Sequence, residues 1–389
     1  MILDNPLRRL AATHPAMELW WDSSPLVYDS WLRSEGQPYA GEGLFVHTAA
    51  AAEFAASSLL RGATTNPPLV LQVLKRSPEV WGAWLRERVA AQPGISVREA
   101  MWQLYIEIAR RGAARLAPLY AGSVEHHGRI CCQVDPRDQA DTRVMVEQAR
   151  RIHAASPSIM IKMPGTREGI AGVRILTAEG ISTTVTLCFT VAQLVAVGEA
   201  VAAGLAEAQD RGTTAREWRS CAVMMLGRYE DAPQMKLDAE AAGVTLSEAD
   251  LRWAGIAVFR KAYHLFRERR YPSKLMAASM RVGPIVDGVT RVWHLERLAG
   301  ASSVLTIFPN IMETFLHSYR DLPITAEIDA PVPADVLARL LRIPYFCTAY
   351  DEDGLAVSQF ITHPALHATA ESFAVAMSQI EEFAASHMR

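Results

Sequence analysis

Eight short apolar segments, separated by longer stretches with helical periodicity, constrain the fold of this chain more than any other sequence feature. Each segment is nearly continuously apolar, which is typical of parallel strands buried on both faces. The segments are residues 17–22, 62–70, 128–135, 158–164, 182–188, 220–226, 274–279 and 302–308. Strand and helix alternating eight times predict an α/β fold, namely a (β/α)8 TIM barrel.

The helical stretches also predict two additions to a minimal barrel. The helical candidates are residues 49–61, 97–121, 140–155, 168–179, 191–210, 247–269 and 290–298. Residues 71–127 are too long for one crossover, so we expect extra helices after the second strand. Residues 310–389 continue past the eighth strand as a mostly helical tail. We therefore expect one decorated domain over residues 1–389, with a barrel core at about 17–318 and a helical C-terminal extension at about 319–389.

Composition excludes several classes of protein. Half of the residues are apolar and 21% are charged, as in ordinary globular proteins, and a net charge of −3 gives no basic field for nucleic acid or anionic lipid. The five cysteines include no CxxC pair, so neither a disulfide framework nor a zinc site is expected. Glutamates interrupt the most apolar stretch, 191–208, which predicts a core helix. The N-terminus lacks the apolar region of a secretory signal, and we expect a cytoplasmic protein.

Lys162 is the strongest candidate for a catalytic residue. Only five of the 39 basic residues are lysines, and Lys162 lies between Ile161 and Met163 inside an apolar strand. Burial disfavours the charged ammonium, so the pKa of this side chain should fall toward the range where the neutral amine is nucleophilic. Such an amine attacks a carbonyl to form an iminium. The alternative is a structural lysine paired with a carboxylate such as Asp22.

Other polar residues lie near the carboxyl ends of the predicted strands, where barrel enzymes place their chemistry. Besides Lys162, these are Asp22, Thr64, Asn66, Gln133, Asp135, Thr184, Thr186, Arg228, Ser279 and Arg281.

At these positions the chain resembles the transaldolase family of Schiff-base-forming class I aldolases, as a divergent, longer member. The two most specific segments are ATTNPPLV and IMIKMPGTREGIAGVRIL. Further similar segments are VDPRDQADT, GISTTVTLCFT, SCAVMMLGRYED, LMAASMR and AYDEDGLAVSQF. The resemblance covers nearly the whole chain in order.

The resemblance implies a role for each candidate. Lys162 would form the Schiff base, and Asp22 would handle the proton of the cleaved hydroxyl. Asn66 would contact substrate hydroxyls, with Thr64 and Thr184 in the same substrate site. Gln133 and Thr186 would hold the catalytic water. Arg228, Arg281 and Ser279 would bind the phosphate, which suits guanidinium groups because they pair with phosphate oxygens through two hydrogen bonds.

Some positions depart from the family pattern. Gln133 stands where the family has glutamate, and an amide cannot take up a proton at neutral pH. The fructose-6-phosphate aldolase branch also has glutamine there but pairs it with a tyrosine, and the matching residue here is Met225. Thr184 and Val223 replace residues that are often asparagine and serine. These changes affect the proton relay of the standard reaction and leave the lysine chemistry in place.

The resemblance implies a transaldolase-like transferase that moves a dihydroxyacetone unit between sugar phosphates, in the pentose phosphate pathway of carbohydrate metabolism. One alternative is a fructose-6-phosphate-aldolase-like or specialised-pathway C–C lyase or transferase. Another is a catalytically silent barrel that binds a sugar phosphate. We expect a phosphorylated sugar as ligand, no cofactor or metal, and no nucleic-acid or membrane partner. The sequence leaves open whether the chain forms a homo-oligomer.

Overall fold

The computed structural model describes residues 5–45, 57–213 and 217–388. Within these ranges, eight parallel strands form a closed barrel, which confirms the predicted fold class. The barrel strands are β1 (Glu18–Trp21), β2 (Leu60–Ala63), β3 (Arg129–Gln133), β4 (Ile159–Pro164), β5 (Thr183–Cys188), β6 (Ser220–Met225), β7 (Lys274–Ala278) and β10 (Val304–Ile307). A small antiparallel hairpin of β8 (Ile285–Val286) and β9 (Val289–Thr290) precedes β10. The barrel closes where β1 pairs with β10.

Helices surround the barrel and extend beyond it. In chain order they are α1 (Pro6–Ala11), α2 (Tyr28–Arg33), α3 (Pro67–Arg76), α4 (Pro78–Ala91), α5 (Val97–Gly122), α6 (Thr142–His153), α7 (Arg167–Ala178), α8 (Val191–Asp210), α9 (Leu226–Glu230), α10 (Pro233–Ala241), α11 (Glu248–Arg269), α12 (Trp293–Glu296), α13 (Pro309–Ser318), α14 (Ala334–Leu340), α15 (Pro344–Tyr350) and α16 (Pro364–Ser386). Helices α3 to α5 are the expected insertion after the second strand, although they begin at residue 67 rather than 71. The tail is helical, as predicted.

The predicted bounds of the second strand were wrong. Residues 62–70 were expected to form one strand, but β2 ends at Ala63 and α3 begins at Pro67. Asn66 starts this helix, because its side-chain Oδ1 accepts a hydrogen bond from the Leu69 N–H at 3.0 Å. Pro67 occupies the first helical position, where a missing N–H costs nothing.

Two helical predictions also differ from the structure. Of the expected helix 49–61, residues 49–56 lie outside the described residues, and Leu60 and Arg61 belong to β2. The expected helix 290–298 is reduced to α12, because Thr290 pairs with Ile285 in the hairpin.

The amino-terminal end of the barrel is filled by packed side chains. The Trp20 ring lies so close to Gly62 that a Cβ there would be 2.6 Å from Trp20 Cε2. Trp20 Nε1 donates a hydrogen bond of 3.0 Å to Glu18, which also pairs with Arg219 and Lys274. A surface cavity of about 580 Å³ beside Glu18 and Lys274 also opens at this end, but Lys162 and the other predicted site residues lie at the opposite, carboxyl-terminal end.

Helix α8 is long and apolar enough to cross a membrane by composition alone, and among the described residues no other helix is. Of its most apolar window, 56% is buried inside the protein. It packs against α7, α11 and β6, as a core helix does.

Helix α16 lies across the carboxyl end of the barrel. It contacts α3, α5, β5 and the 3-10 turn Pro136–Asp138 that follows β3. Arg137 of that turn donates a 2.6 Å hydrogen bond to Glu381. The C-terminal tail thus covers the end of the barrel at which the candidate residues lie.

Candidate active site

Lys162 lies on β4 between two predicted site residues, because its register partners are Gln133 on β3 and Thr184 on β5. Only 6% of its surface is exposed, and Nζ donates a 3.2 Å hydrogen bond to the Thr65 carbonyl. Burial lowers the pKa of Lys162, although the nearby Asp22 opposes this shift. Lys162 and Asp22 attract each other, but no ion pair within 4.0 Å joins them among the described residues.

Asp22 follows β1 and is held at the seam of the barrel. Its backbone N–H donates to the Ile307 carbonyl at 3.0 Å, and its Oδ1 accepts a 2.7 Å hydrogen bond from Thr64. Since the Thr64 hydroxyl has only one proton, the 2.6 Å contact between Thr64 and Thr306 makes Thr306 the donor. Burial raises the pKa of Asp22, and Lys162 and Thr64 partly offset this effect.

Gln133 is the buried neighbour of Lys162, with 1% of its surface exposed. Its Oε1 accepts no hydrogen bond from the described residues. Leaving a buried acceptor unsatisfied costs about 1–3 kcal/mol. This oxygen therefore has the capacity to accept a hydrogen bond from a ligand hydroxyl or a water beside Lys162.

The two threonines of β5 are buried and have sulfur neighbours. Thr184 Oγ1 lies 3.2 Å from Cys131 Sγ. Thr186 Oγ1 donates to Met225 Sδ at 3.5 Å. Met225, the residue at the position of the aldolase-branch tyrosine, thus touches the threonine expected to hold water.

Asn66 is half-buried beside Thr65, whose carbonyl binds Lys162. Its Oδ1 caps helix α3, so the amide nitrogen is the part of the side chain left for a substrate hydroxyl. The prediction placed Asn66 in the strand, whereas the structure places it at the start of the helix.

Arg228, Ser279 and Arg281 line one cavity of about 460 Å³ at the carboxyl end of the barrel. Arg281 Nε donates to Asp231 Oδ2 at 2.8 Å, and its Nη1 donates to the Ser279 carbonyl at 3.0 Å. The Arg228 guanidinium lies over the Phe373 ring of α16, 5.3 Å from its centroid. Burial lowers the pKa of Arg228, and the positive charge of Arg281 lowers it further. A bound anion would relieve this repulsion.

Three residues of the site were not anticipated. Thr306 donates to Thr64, Thr65 accepts from Lys162, and Phe373 covers Arg228. Thr306 had a visible signal, since it is a polar residue within the apolar eighth strand. Phe373 had none, because only the fold brings the tail to the barrel.

Asp135 does not join the site. Its carboxylate is fully buried and accepts hydrogen bonds from the Arg137 guanidinium at 2.7–3.1 Å. The described residues also contain no group of three or more histidine, cysteine or acidic residues that could hold a metal ion.

Comparison with known proteins extends these observations. A family model described as transaldolase/fructose-6-phosphate aldolase matches residues 45–360, which include every barrel strand except β1. The transaldolase of Thiobacillus denitrificans is 30% identical over 256 residues, covering 65% of this chain and 68% of that protein. The transaldolase of Thermobifida fusca is 33% identical over 188 residues, covering 48% of this chain and 50% of that protein. The matched family region ends before α16.

Proposed function

Because the chain belongs to the transaldolase/fructose-6-phosphate aldolase family, we propose that it is a transferase that moves a dihydroxyacetone unit between sugar phosphates through a Schiff base on Lys162. The single observation that carries this proposal is the state of Lys162. It is buried, its pKa is lowered by burial, and it lies beside Asp22 without forming an ion pair with it. The other strand lysine, Lys274, pairs with Glu18 at 2.7 Å at the opposite end of the barrel.

In the proposed reaction the Lys162 amine attacks the C2 carbonyl of a ketose phosphate, and loss of water gives an iminium. The iminium accepts the electron pair of the breaking C3–C4 bond, while Asp22 takes the proton of the C4 hydroxyl. The aldose phosphate departs, and the remaining enamine attacks the aldehyde carbon of an acceptor, whose oxygen takes the proton back from Asp22. Hydrolysis then releases the new ketose and the free lysine.

The remaining candidates bind the substrate or water. Arg228, Ser279 and Arg281 hold the phosphate in the 460 Å³ cavity. Gln133 and Thr186 hold the water that leaves and returns. Asn66, Thr64 and Thr184 contact or position the sugar chain. We further propose a cytoplasmic enzyme of carbohydrate metabolism, in the pentose phosphate pathway.

Gln133 favours a second candidate function. A glutamine beside the Schiff-base lysine is shared with the fructose-6-phosphate aldolase branch, where the three-carbon unit is released rather than transferred. A catalytically silent barrel is disfavoured, because phosphate binding needs only the arginines and does not require a buried lysine beside Asp22.

Trapping the intermediate tests the proposal. Borohydride added with fructose 6-phosphate should reduce the adduct, and intact mass with peptide mapping should place one three-carbon unit on Lys162. The Lys162→Met variant should remain unlabelled, whereas the exposed control Lys75→Met should label like wild type. Turnover with erythrose 4-phosphate as acceptor then separates transfer from plain cleavage. A label on Lys274, or no label at all, would contradict the proposal.

A further inference from the structure

A buried histidine links the two chain segments that carry Arg228 and Arg281, the arginines of the 460 Å³ cavity proposed to hold the phosphate. We call it the phosphate cavity. Arg228 is carried by α9, which follows β6, whereas Arg281 lies after β7. His294 comes from a third element, α12, and is completely buried. It touches neither the cavity nor Lys162 but contacts both of the elements that carry the arginines.

The hydrogen bonds of His294 define its orientation. Its Nδ1 lies 3.0 Å from the backbone nitrogen of Arg281, and a backbone N–H can only donate. Nδ1 is therefore the unprotonated ring nitrogen. Its Nε2 lies 2.7 Å from Oε1 of Glu230, so in this tautomer Nε2 donates to the carboxylate. Arg252 pairs with the other oxygen of Glu230.

Glu230 does not line this cavity, but the backbone of α9 connects it to Arg228, which does. It is the last residue of α9 and follows Arg228 by two positions. A continuous path therefore leads from the helix of Arg228, through Glu230 and His294, to the backbone of Arg281. Each of the three side chains of this network, Glu230, Arg252 and His294, is buried.

A second connection joins the same two segments. The Gly227 N–H donates to the Ser279 carbonyl at 2.9 Å. A side chain at 227 would place its Cβ 2.3 Å from that oxygen, so the close approach requires glycine. Ser279 itself has a left-handed backbone, with φ of 58°. The hydrogen bond from Gly227 thus fixes the backbone at Ser279, and the hydrogen bond to His294 fixes the backbone at Arg281.

We propose that His294, oriented by Glu230, is a positioning residue that fixes Arg281 opposite Arg228 for binding of the substrate phosphate. The inference rests on the proposed function for the identity of the anion as the phosphate of a sugar. A buried ion pair is often no more stabilising than apolar side chains of similar volume, whereas a fully satisfied buried network holds its members in one orientation.

The test compares three substitutions of His294. His294→Asn can return an acceptor oxygen near the place of Nδ1, whereas His294→Gln reaches toward Glu230 and lacks that acceptor. His294→Phe removes both functions. Binding of inorganic phosphate, measured by calorimetry, should weaken about tenfold in the Gln and Phe variants, the loss expected for one charge-assisted hydrogen bond, and should stay near the wild-type value in the Asn variant.

Kinetics provide the second readout. In the Gln and Phe variants, KM for fructose 6-phosphate should rise about tenfold with little change in kcat, because the phosphate contact is the same in the ground state and the transition state. KM for unphosphorylated fructose should stay at the wild-type value, which loss of fold would not produce. His153→Phe, on α6 away from both segments, is the control for replacing a histidine ring.

The inference would be overturned if the wild type did not bind phosphate, or if the Asn and Gln variants bound it with equal affinity. It would also be overturned if KM rose equally for fructose 6-phosphate and for unphosphorylated fructose. If His294→Phe fails to fold, the comparison of Asn with Gln still decides. Weakened phosphate binding in a protein without transaldolase turnover would sink the proposed function and leave this inference standing.

Discussion

At the scale of single residues, we expect Gln133 to limit the rate of the proposed reaction. Its amide is buried next to Lys162, and its Oε1 accepts no hydrogen bond from the described residues. An amide can orient a water but cannot take up or return its proton. Gln133 can therefore hold a water beside Lys162 but cannot act as a base toward that water.

Gln133→Glu should raise the rate of dihydroxyacetone transfer from fructose 6-phosphate to erythrose 4-phosphate. A positioned general acid–base group contributes about 10² to 10⁴ in rate, so we expect kcat to rise at least about tenfold. The measurement is steady-state kcat for both proteins at neutral pH.

Gln92→Glu adds the same charge at an exposed position and serves as the control. If the wild type already turns over at about 10 s⁻¹, a typical enzyme rate, and Gln133→Glu is no faster, the glutamine is an adequate holder of water and our view of the relay is wrong.

Sequence patterns identify residues whose surroundings are local. Lys162 stood out because apolar neighbours on its own strand predict its burial. The role of Thr306 depends on a partner more than two hundred residues away in the chain, so only barrel closure reveals it. His294 carried no local signal at all, because its partners come from α9 and the segment after β7.

At the scale of elements, Asn66 joins the start of α3 to the candidate site. Its Oδ1 caps the helix, and we propose that its amide nitrogen donates to a substrate hydroxyl. Asn66→Asp keeps the capping oxygen and places a negative charge at a helix N-terminus, which is favourable. We expect an unchanged or slightly raised Tm, and a fall in kcat/KM of about tenfold or more from the lost donor.

Asp141→Asn is the matched control, because Asp141 caps α6 through the same type of bond and is exposed. It should leave kcat/KM at the wild-type value. Wild-type activity in Asn66→Asp would show that the amide nitrogen does not bind substrate.

Helix prediction succeeded where one periodic pattern ran between clear ends. The bounds of α8 were predicted as the structure has them, and those of α5 and α11 differ by one residue. The second strand failed because ATTNPPLV is apolar enough for a strand, while its end is set by the capping of Asn66 and by Pro67. The hairpin before α12 was missed because each of its strands has only two residues.

At the scale of the whole molecule, the charged cluster at the amino-terminal end of the barrel should make stability depend on acid. Burial alone would raise the pKa of Glu18, but Arg219 and Lys274 lower it from 4.5 to about 2. A carboxyl group with a lowered pKa stabilises the fold at pH values above its pKa in the unfolded chain. This stabilisation is lost as the pH falls toward its pKa in the folded protein. Between pH 5 and pH 2 this loss should approach about 3 kcal/mol.

Urea unfolding at several pH values measures this loss. Glu18→Gln should unfold at lower urea at neutral pH and show a shallower decline of unfolding free energy below pH 4.5. Glu87→Gln, an exposed substitution on α4 away from this cluster, should decline like wild type. Equal slopes for wild type and Glu18→Gln would contradict the assignment.

We further propose that residues 1–389 form one domain. Arg9 of α1 donates hydrogen bonds to the carbonyls of Tyr319 and Leu322, and α16 packs on elements that follow β2 and β3. Calorimetry should therefore show a single transition, with the calorimetric enthalpy equal to the van't Hoff enthalpy. Two resolved transitions would separate the tail or the barrel as an independent unit.

The closure of the barrel between β1 and β10 also has a consequence for biosynthesis. Asp22 is translated early, but the Ile307 carbonyl and the Thr306 hydroxyl that hold its surroundings leave the ribosome only after the rest of the barrel. Helix α16 emerges later still and covers the same end. Domains emerging from the ribosome generally fold as units, N-terminal parts first. A nascent chain of this protein that is stalled before β10 should therefore contain Lys162 but form no Schiff base that borohydride can trap. Trapping on Lys162 should begin only when nearly the whole chain has been translated.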